Sequence, residues 1–157
     1  MKKNRVLIPL DDSEFSMSVL PHVTNLLAPD RNELFLLHVA PQPISTIVND
    51  ELMVYADQEA KSLKEQNRET VEPLVHSLEK LGYQVSPECA FGDPAKEIER
   101  FVEDKDIDLV AMTTHGREGL SRLIRGSVAQ HILHHLYVPV LLLREVPEDW
   151  LGGAVGE

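Results

Sequence analysis

Apolar positions in this chain follow two rhythms that take turns. Arg5 to Leu10 (R-V-L-I-P-L), Glu33 to Ala40 (E-L-F-L-L-H-V-A), Ile107 to Met112 (I-D-L-V-A-M) and Val138 to Leu143 (V-P-V-L-L-L) are short apolar runs of the kind found in strands covered on both faces, and Tyr83 to Cys89 is a further strand. Between them apolar residues recur at about 3.6-residue spacing. Phe15, Val19, Val23, Leu26 and Leu27 form one helical stripe behind a Ser13 N-cap, stopped by Pro29-Asp30. Pro21 inside that stripe is expected to kink the axis or force a local break. Leu52, Ala56, Ala60, Leu63, Val71, Leu74, Leu78 and Leu81 make Glu51 to Leu81 helical, with a kink expected at Pro73 and Gly82 as the C-cap. Gly92-Asp93-Pro94 opens a helix running to about Glu103, and Val128 to Leu136 forms the last one.

Strands and helices alternating at these lengths predict a parallel sheet with helices on both faces and right-handed crossovers. In such sheets ligands sit at the carboxyl ends of the strands, where the strand order reverses. The first strand ends in Asp11-Asp12-Ser13 and the fourth in Met112 to Gly116. If those strands are neighbours, the two polar segments meet in one crevice.

The segment leaving the fourth strand, Met112 to Ser127 (M-T-T-H-G-R-E-G-L-S-R-L-I-R-G-S), fits a loop that wraps an anion. Gly116 admits close backbone approach, and Gly126-Ser127 leaves unpaired N–H groups at a helix start, where the macrodipole also attracts phosphate. No lysine follows the last glycine, so the loop is not a Walker motif, and the glycine spacing does not suit a dinucleotide fingerprint.

At 157 residues the chain forms one domain with a core that needs neither disulfide nor metal. The net charge of −11 argues against nucleic acid and anionic membranes as partners, while leaving room for a small phosphorylated ligand in a local pocket. Cys89 is the single cysteine, no apolar run reaches the length of a membrane span, and Met1-Lys-Lys-Asn-Arg leads straight into a strand, all expected of a cytoplasmic protein. The Gly-rich, acidic residues 145–157 read as a loosely held tail after a domain of residues 1–144.

With these pieces in order, the chain resembles the universal stress protein family over nearly its whole length. The opening V-L-I-P-L-D-D-S is similar to that family's first strand and acidic turn, Gly92-Asp93-Pro94 with Ile98 to the entry of its third helix, and Thr113 to Ser127 to its ATP loop, G-x2-G-x9-G-[ST]. The resemblance implies a single-domain, three-layer α/β fold of the adenine nucleotide alpha hydrolase-like type, an open five-stranded parallel sheet in the order 3-2-1-4-5. It also implies that Asp11 hydrogen-bonds the nucleoside, that Pro9, Leu10 and Val39 line the adenine and ribose site, and that Met112 packs against the base. By the same resemblance His115 and Gly116 approach the phosphates by backbone, and Gly126, Ser127 and Val128 bind phosphate. ATP is the leading ligand, with AMP or ADP as alternatives and Mg²⁺ as an accompanying cation.

This chain departs from the pattern twice. Thr113 stands for the loop's first glycine, adding a Cβ and a hydroxyl able to donate to phosphate, and Asp12 stands for the glycine after the first-strand aspartate. Asp12 brings negative charge to the crevice mouth, which Mg²⁺ or Arg117 would offset. Arg117, Arg122 and Arg125 could clamp phosphates or keep the loop solvated. His131, His134 and His135 share one helix edge, read here as solvated and not as a metal site. Pro139 suits an edge strand; the apolar run Val138 to Leu143 needs cover, and the resemblance implies a homodimer through it. The expected function is that of a nucleotide-binding stress or regulatory protein with an unidentified protein partner. A ligand-free dimeric scaffold, or a protein that slowly hydrolyses ATP or phosphorylates itself at Ser121 or Ser127, is the alternative, and an efficient enzyme is not expected.

Overall fold

The computed structural model describes residues 2–11, 13–43, 47–48, 51–52, 56–114 and 127–143. Five parallel strands form the main sheet: β1 (Asn4–Leu10), β2 (Asn32–Ala40), β5 (Gln84–Phe91), β6 (Leu109–Thr113) and β7 (Val140–Leu143), side by side as β5-β2-β1-β6-β7. Counted along the main sheet alone, this is the expected order 3-2-1-4-5, and it reverses between β1 and β6.

Strand alternation sorts the apolar residues into two cores. Val6, Ile8 and Leu10 of β1, Leu34 and Leu36 of β2 and Ala111 of β6 face one side. There they meet Val19, Leu20 and Val23 of helix α2 (Val19–Leu26) and Leu78 of helix α3 (Ala56–Lys80). Leu7, Leu37, Val110 and Met112 face the other side, against Ile98 and Val102 of α4 (Pro94–Asp104) and Ala129 and Ile132 of α5 (Ser127–His135). Val6, Leu7 and Ile8 are wholly inaccessible, as a central strand between two helical layers requires.

The first helical stripe is broken, as Pro21 demands: one turn, α1 (Glu14–Met17), ends before α2 begins at Val19. A proline ring at position 21 clashes with the Met17 carbonyl and has no N–H to give it. Leu26, assigned to the buried stripe by spacing, is 65% exposed, and the sequence Leu26-Leu27 divides between solvent and core. The long helix starts later than its apolar period suggests. Glu51–Leu52 forms strand β4, paired antiparallel with β3 (Ile47–Val48). Pro73 is accommodated inside an uninterrupted α3.

Both crossover helices on the way to the next strand end alike. After α3, Gly82 at φ +94° donates to Glu79 O (2.8 Å) and Tyr83 to Leu78 O (3.2 Å), a Schellman closure that carries Tyr83 into the core beside Leu78. After α4, Asp106 at φ +48° takes glycine's place, donating to Glu103 O (3.4 Å) while Ile107 donates to Val102 O (3.0 Å). At the start of α4, Pro94 holds the first position and the Asp93 carboxylate caps Lys96 N at 3.0 Å. The expected tail, residues 145–157, lies outside the described residues.

Candidate functional site

The strand order brings the ends of β1 and β6 side by side. The two strands pair at Val6–Leu109 and Leu7–Val110, so Pro9, Leu10 and Asp11 lie beyond this ladder on the same side as Met112, Thr113 and Thr114. β2 completes the floor, with Leu10 opposite His38 and Val39 next along. A crevice at the reversal of strand order is where doubly wound sheets take their ligands.

The predicted lining residues divide by strand parity. Val39, Met112 and Val128 belong to the core under α4 and α5, and Pro9 shares their parity on β1. Leu10 belongs to the opposite core under α2 and α3. Leu10 and Met112 are buried, whereas Pro9 and Val39 keep part of their surface. Met112 and Val128 share one core, which holds the start of α5 against the carboxyl half of β6. Ser127, the first residue of α5, is exposed. Thr113 is a buried polar residue, 6% exposed, and Thr114 N–H donates to Leu143 O at 2.9 Å, continuing the β6–β7 ladder. His115, Gly116, Arg117 and Gly126, with Asp12, Ser121, Arg122 and Arg125, lie outside the described residues.

Asp11 is tightly engaged. Its Oδ1 accepts the Ser13 N–H at 3.1 Å and the Ser13 hydroxyl at 2.6 Å, while its own N–H donates to Ser16 Oγ at 3.3 Å. Ser13 Oγ accepts the Ser16 N–H at 3.0 Å, as an N-cap should. Sequence reading found the cap but missed Ser16, which is 4% exposed and donates to Ser13 O at 3.0 Å. The signal was present in D-x-S-x-x-S, a spacing that sets both hydroxyls on the first turn.

The histidine edge of α5 has a different occupant from solvent alone. His131 Nε2 lies 2.7 Å from Glu99 Oε2 on α4, the His131 and His135 rings stack with centroids 4.0 Å apart, and His135 Nδ1 lies 2.9 Å from the His131 carbonyl. Among the described residues no group of three or more His, Cys, Asp or Glu is arranged to hold a metal ion. Nor is any described helix long and apolar enough to cross a membrane.

Comparison with known proteins places this arrangement. Universal stress protein MJ0531 of Methanocaldococcus jannaschii is 29% identical over 145 residues, spanning 92% of this chain and 84% of that protein. The solved structure of MJ0577 from the same archaeon superposes with a TM-score of 0.75 at 26% identity, covering 94% of this chain and 100% of that one. At the level of fold alone, a universal stress protein family protein of Arabidopsis thaliana with AMP bound gives a TM-score of 0.63 at 16% identity, covering 93% of this chain and 94% of that one. A universal stress protein in complex with cAMP gives 0.57 at 13% identity, covering 92% and 98%. The sequence profile of the universal stress protein family matches residues 3–144, and the chain belongs to that family.

Proposed function

We propose that this protein binds an adenine nucleotide, ATP foremost and AMP or ADP as alternatives, in the crevice between the ends of β1 and β6. In this reading it acts in the cytoplasm as a homodimeric stress-response regulator, its nucleotide domain spanning residues 1–144. The observation that carries the reading is that β1 and β6 are neighbours at the reversal of strand order, which sets Asp11 after β1 beside Thr113 and Thr114 at the end of β6. Binding of AMP and of cAMP by proteins of the same fold supports it.

Within the crevice the roles divide by chemistry. Asp11 accepts hydrogen bonds from the nucleoside, and Pro9 and Val39 offer apolar surface to the adenine. Thr113 and His115 lie at the approach to the phosphates, and Gly116, Gly126, Ser127 and Val128 supply N–H groups to them, with Arg117 as a countercharge. Mg²⁺ would arrive with the triphosphate, bound to its oxygens. A ligand-free scaffold is favoured by one observation, the buried side chain of Thr113 where the family's loop has its first glycine.

Titration calorimetry on nucleotide-stripped protein separates these readings. ATP, ADP and AMP, each with and without Mg²⁺, are expected to bind in the micromolar range. Gly126→Asp should weaken ATP by about tenfold or more, because a carboxylate at a helix start repels phosphate. Phosphate release should stay below about one per minute per site, far under ordinary ATPase turnover. Absence of binding to any of the three nucleotides would leave the scaffold.

A further inference from the structure

The geometry points to Ser13 and Ser16 as a two-hydroxyl clamp that positions the Asp11 carboxylate for its ligand; the inference rests on the reading of Asp11 as a nucleoside contact.

The clamp follows from proton bookkeeping. A serine hydroxyl has one proton to give. Ser13 Oγ receives the Ser16 N–H at 3.0 Å, and its own proton goes to Asp11 Oδ1 at 2.6 Å. Ser16 Oγ gives its proton to Ser13 O at 3.0 Å, and so faces the Asp11 N–H as acceptor at 3.3 Å. Every bond in the circuit has one permitted direction. These bonds hold Asp11 at its backbone N–H and at Oδ1, and so orient the carboxyl group.

An ordinary N-cap needs only the bond from Ser16 N–H to Ser13 Oγ. The short bond to Asp11 and the burial of Ser16 go beyond capping. They tie the first turn of α1 to the last residue of the described β1 end, and the break before Val19 confines the arrangement to that single turn. Ligand groups held by supporting hydrogen bonds bind without having to be ordered first. Ser13 and Ser16 are therefore positioning residues, acting through Asp11 without touching the ligand.

A double-mutant cycle on ATP affinity tests this, using wild type, Ser13→Ala, Asp11→Ala and the double variant, with Ser13→Thr as the hydroxyl-retaining control. Ser13→Ala is expected to weaken ATP about five- to tenfold, the size of one lost hydrogen bond. Ser13→Thr should restore binding, and Ser13→Ala should cost nothing further once Asp11 is alanine. Melting curves on each variant report the loss of the cap, which persists in the Asp11→Ala background and so separates capping from positioning. An equal loss of affinity with and without Asp11, or no loss at all, overturns the clamp while leaving nucleotide binding intact. Failure of the wild type to bind ATP, ADP or AMP overturns the nucleotide reading and the clamp together.

Discussion

Tyr83 links three elements through one side chain. Its ring lies in the core beneath α2 and α3, and its phenol donates to the Leu27 carbonyl at the end of α2, with the Thr24 carbonyl 3.3 Å away. Burial pushes the phenol's pKa up, because the ionised form would lose its water. A raised pKa on an acid means that its contribution to stability is complete below the unfolded value, about 10 for tyrosine, and is lost as pH rises through the folded value. Tyr83→Phe should therefore cost about 1–2 kcal/mol in urea unfolding at pH 7, leaving the Leu27 carbonyl without its donor. The gap between the two proteins should close as pH climbs above about 10, since the wild type then loses its own bond. A gap that stayed constant to the alkaline limit would contradict this account. Cys89 follows the same physics: burial raises its thiol pKa, the charge on Lys64 partly opposing, so it is a poor nucleophile at neutral pH.

Among the elements, His131 with Glu99 makes a polar joint between two helices. It fastens α5 to α4, and both side chains are largely buried, at 26% and 32% exposure. Glu99→Gln and His131→Ala should each destabilise, and their cycle should give a coupling of roughly 0.5–1 kcal/mol. Additive losses would mean that the two side chains stabilise the helices separately. This joint was invisible in the sequence because the partners stand 32 residues apart and neither has a local reason to find the other. The helices themselves were legible wherever a local signal stated its own geometry: Gly82 after the Leu78 turn, Asp93-Pro94 at a helix start, Pro21 at a break. The start of α3 was not, since the apolar period of Ala56 and Ala60 extends back through Leu52 and conceals the β3–β4 hairpin. The pair Asn49-Asp50 between Val48 and Glu51 is turn-forming composition that marked the hairpin. Of the site, the ends of β1 and β6 were readable from strand rhythm, whereas the Ser16 contact to Asp11 required knowing where the first turn of α1 points.

For the whole molecule, the unequal chemistry of the sheet's two edges decides how copies would meet. β5 carries Pro87 and Glu88 on its edge, features that discourage strand addition. β7 carries Val140, Leu141, Leu142 and Leu143, all half-buried, and among the described residues pairs only with β6. Tyr137, fully exposed, leads into it. Such an edge needs a cover, and a second copy of β7 is the partner proposed here. Hydrogen-bond direction makes the proposal testable at one atom. Pro139 O accepts from Val110 N at 3.0 Å and Leu143 O from Thr114 N at 2.9 Å, so the odd-numbered residues of β7 turn their backbone groups toward β6. Alternation then turns the N–H and carbonyl of Val140 and Leu142 outward. Leu142→Pro removes an outward donor without touching the ladder to β6, and Leu142→Ala makes a comparable cut in the side chain while keeping that donor. Sedimentation of the three proteins should give a dimer for wild type and for Leu142→Ala, and a monomer for Leu142→Pro. A dimer that survived the proline would place the interface elsewhere. A monomeric wild type would mean that the apolar edge is covered from within the chain, and that regulation by the nucleotide must act through some surface other than a strand pair.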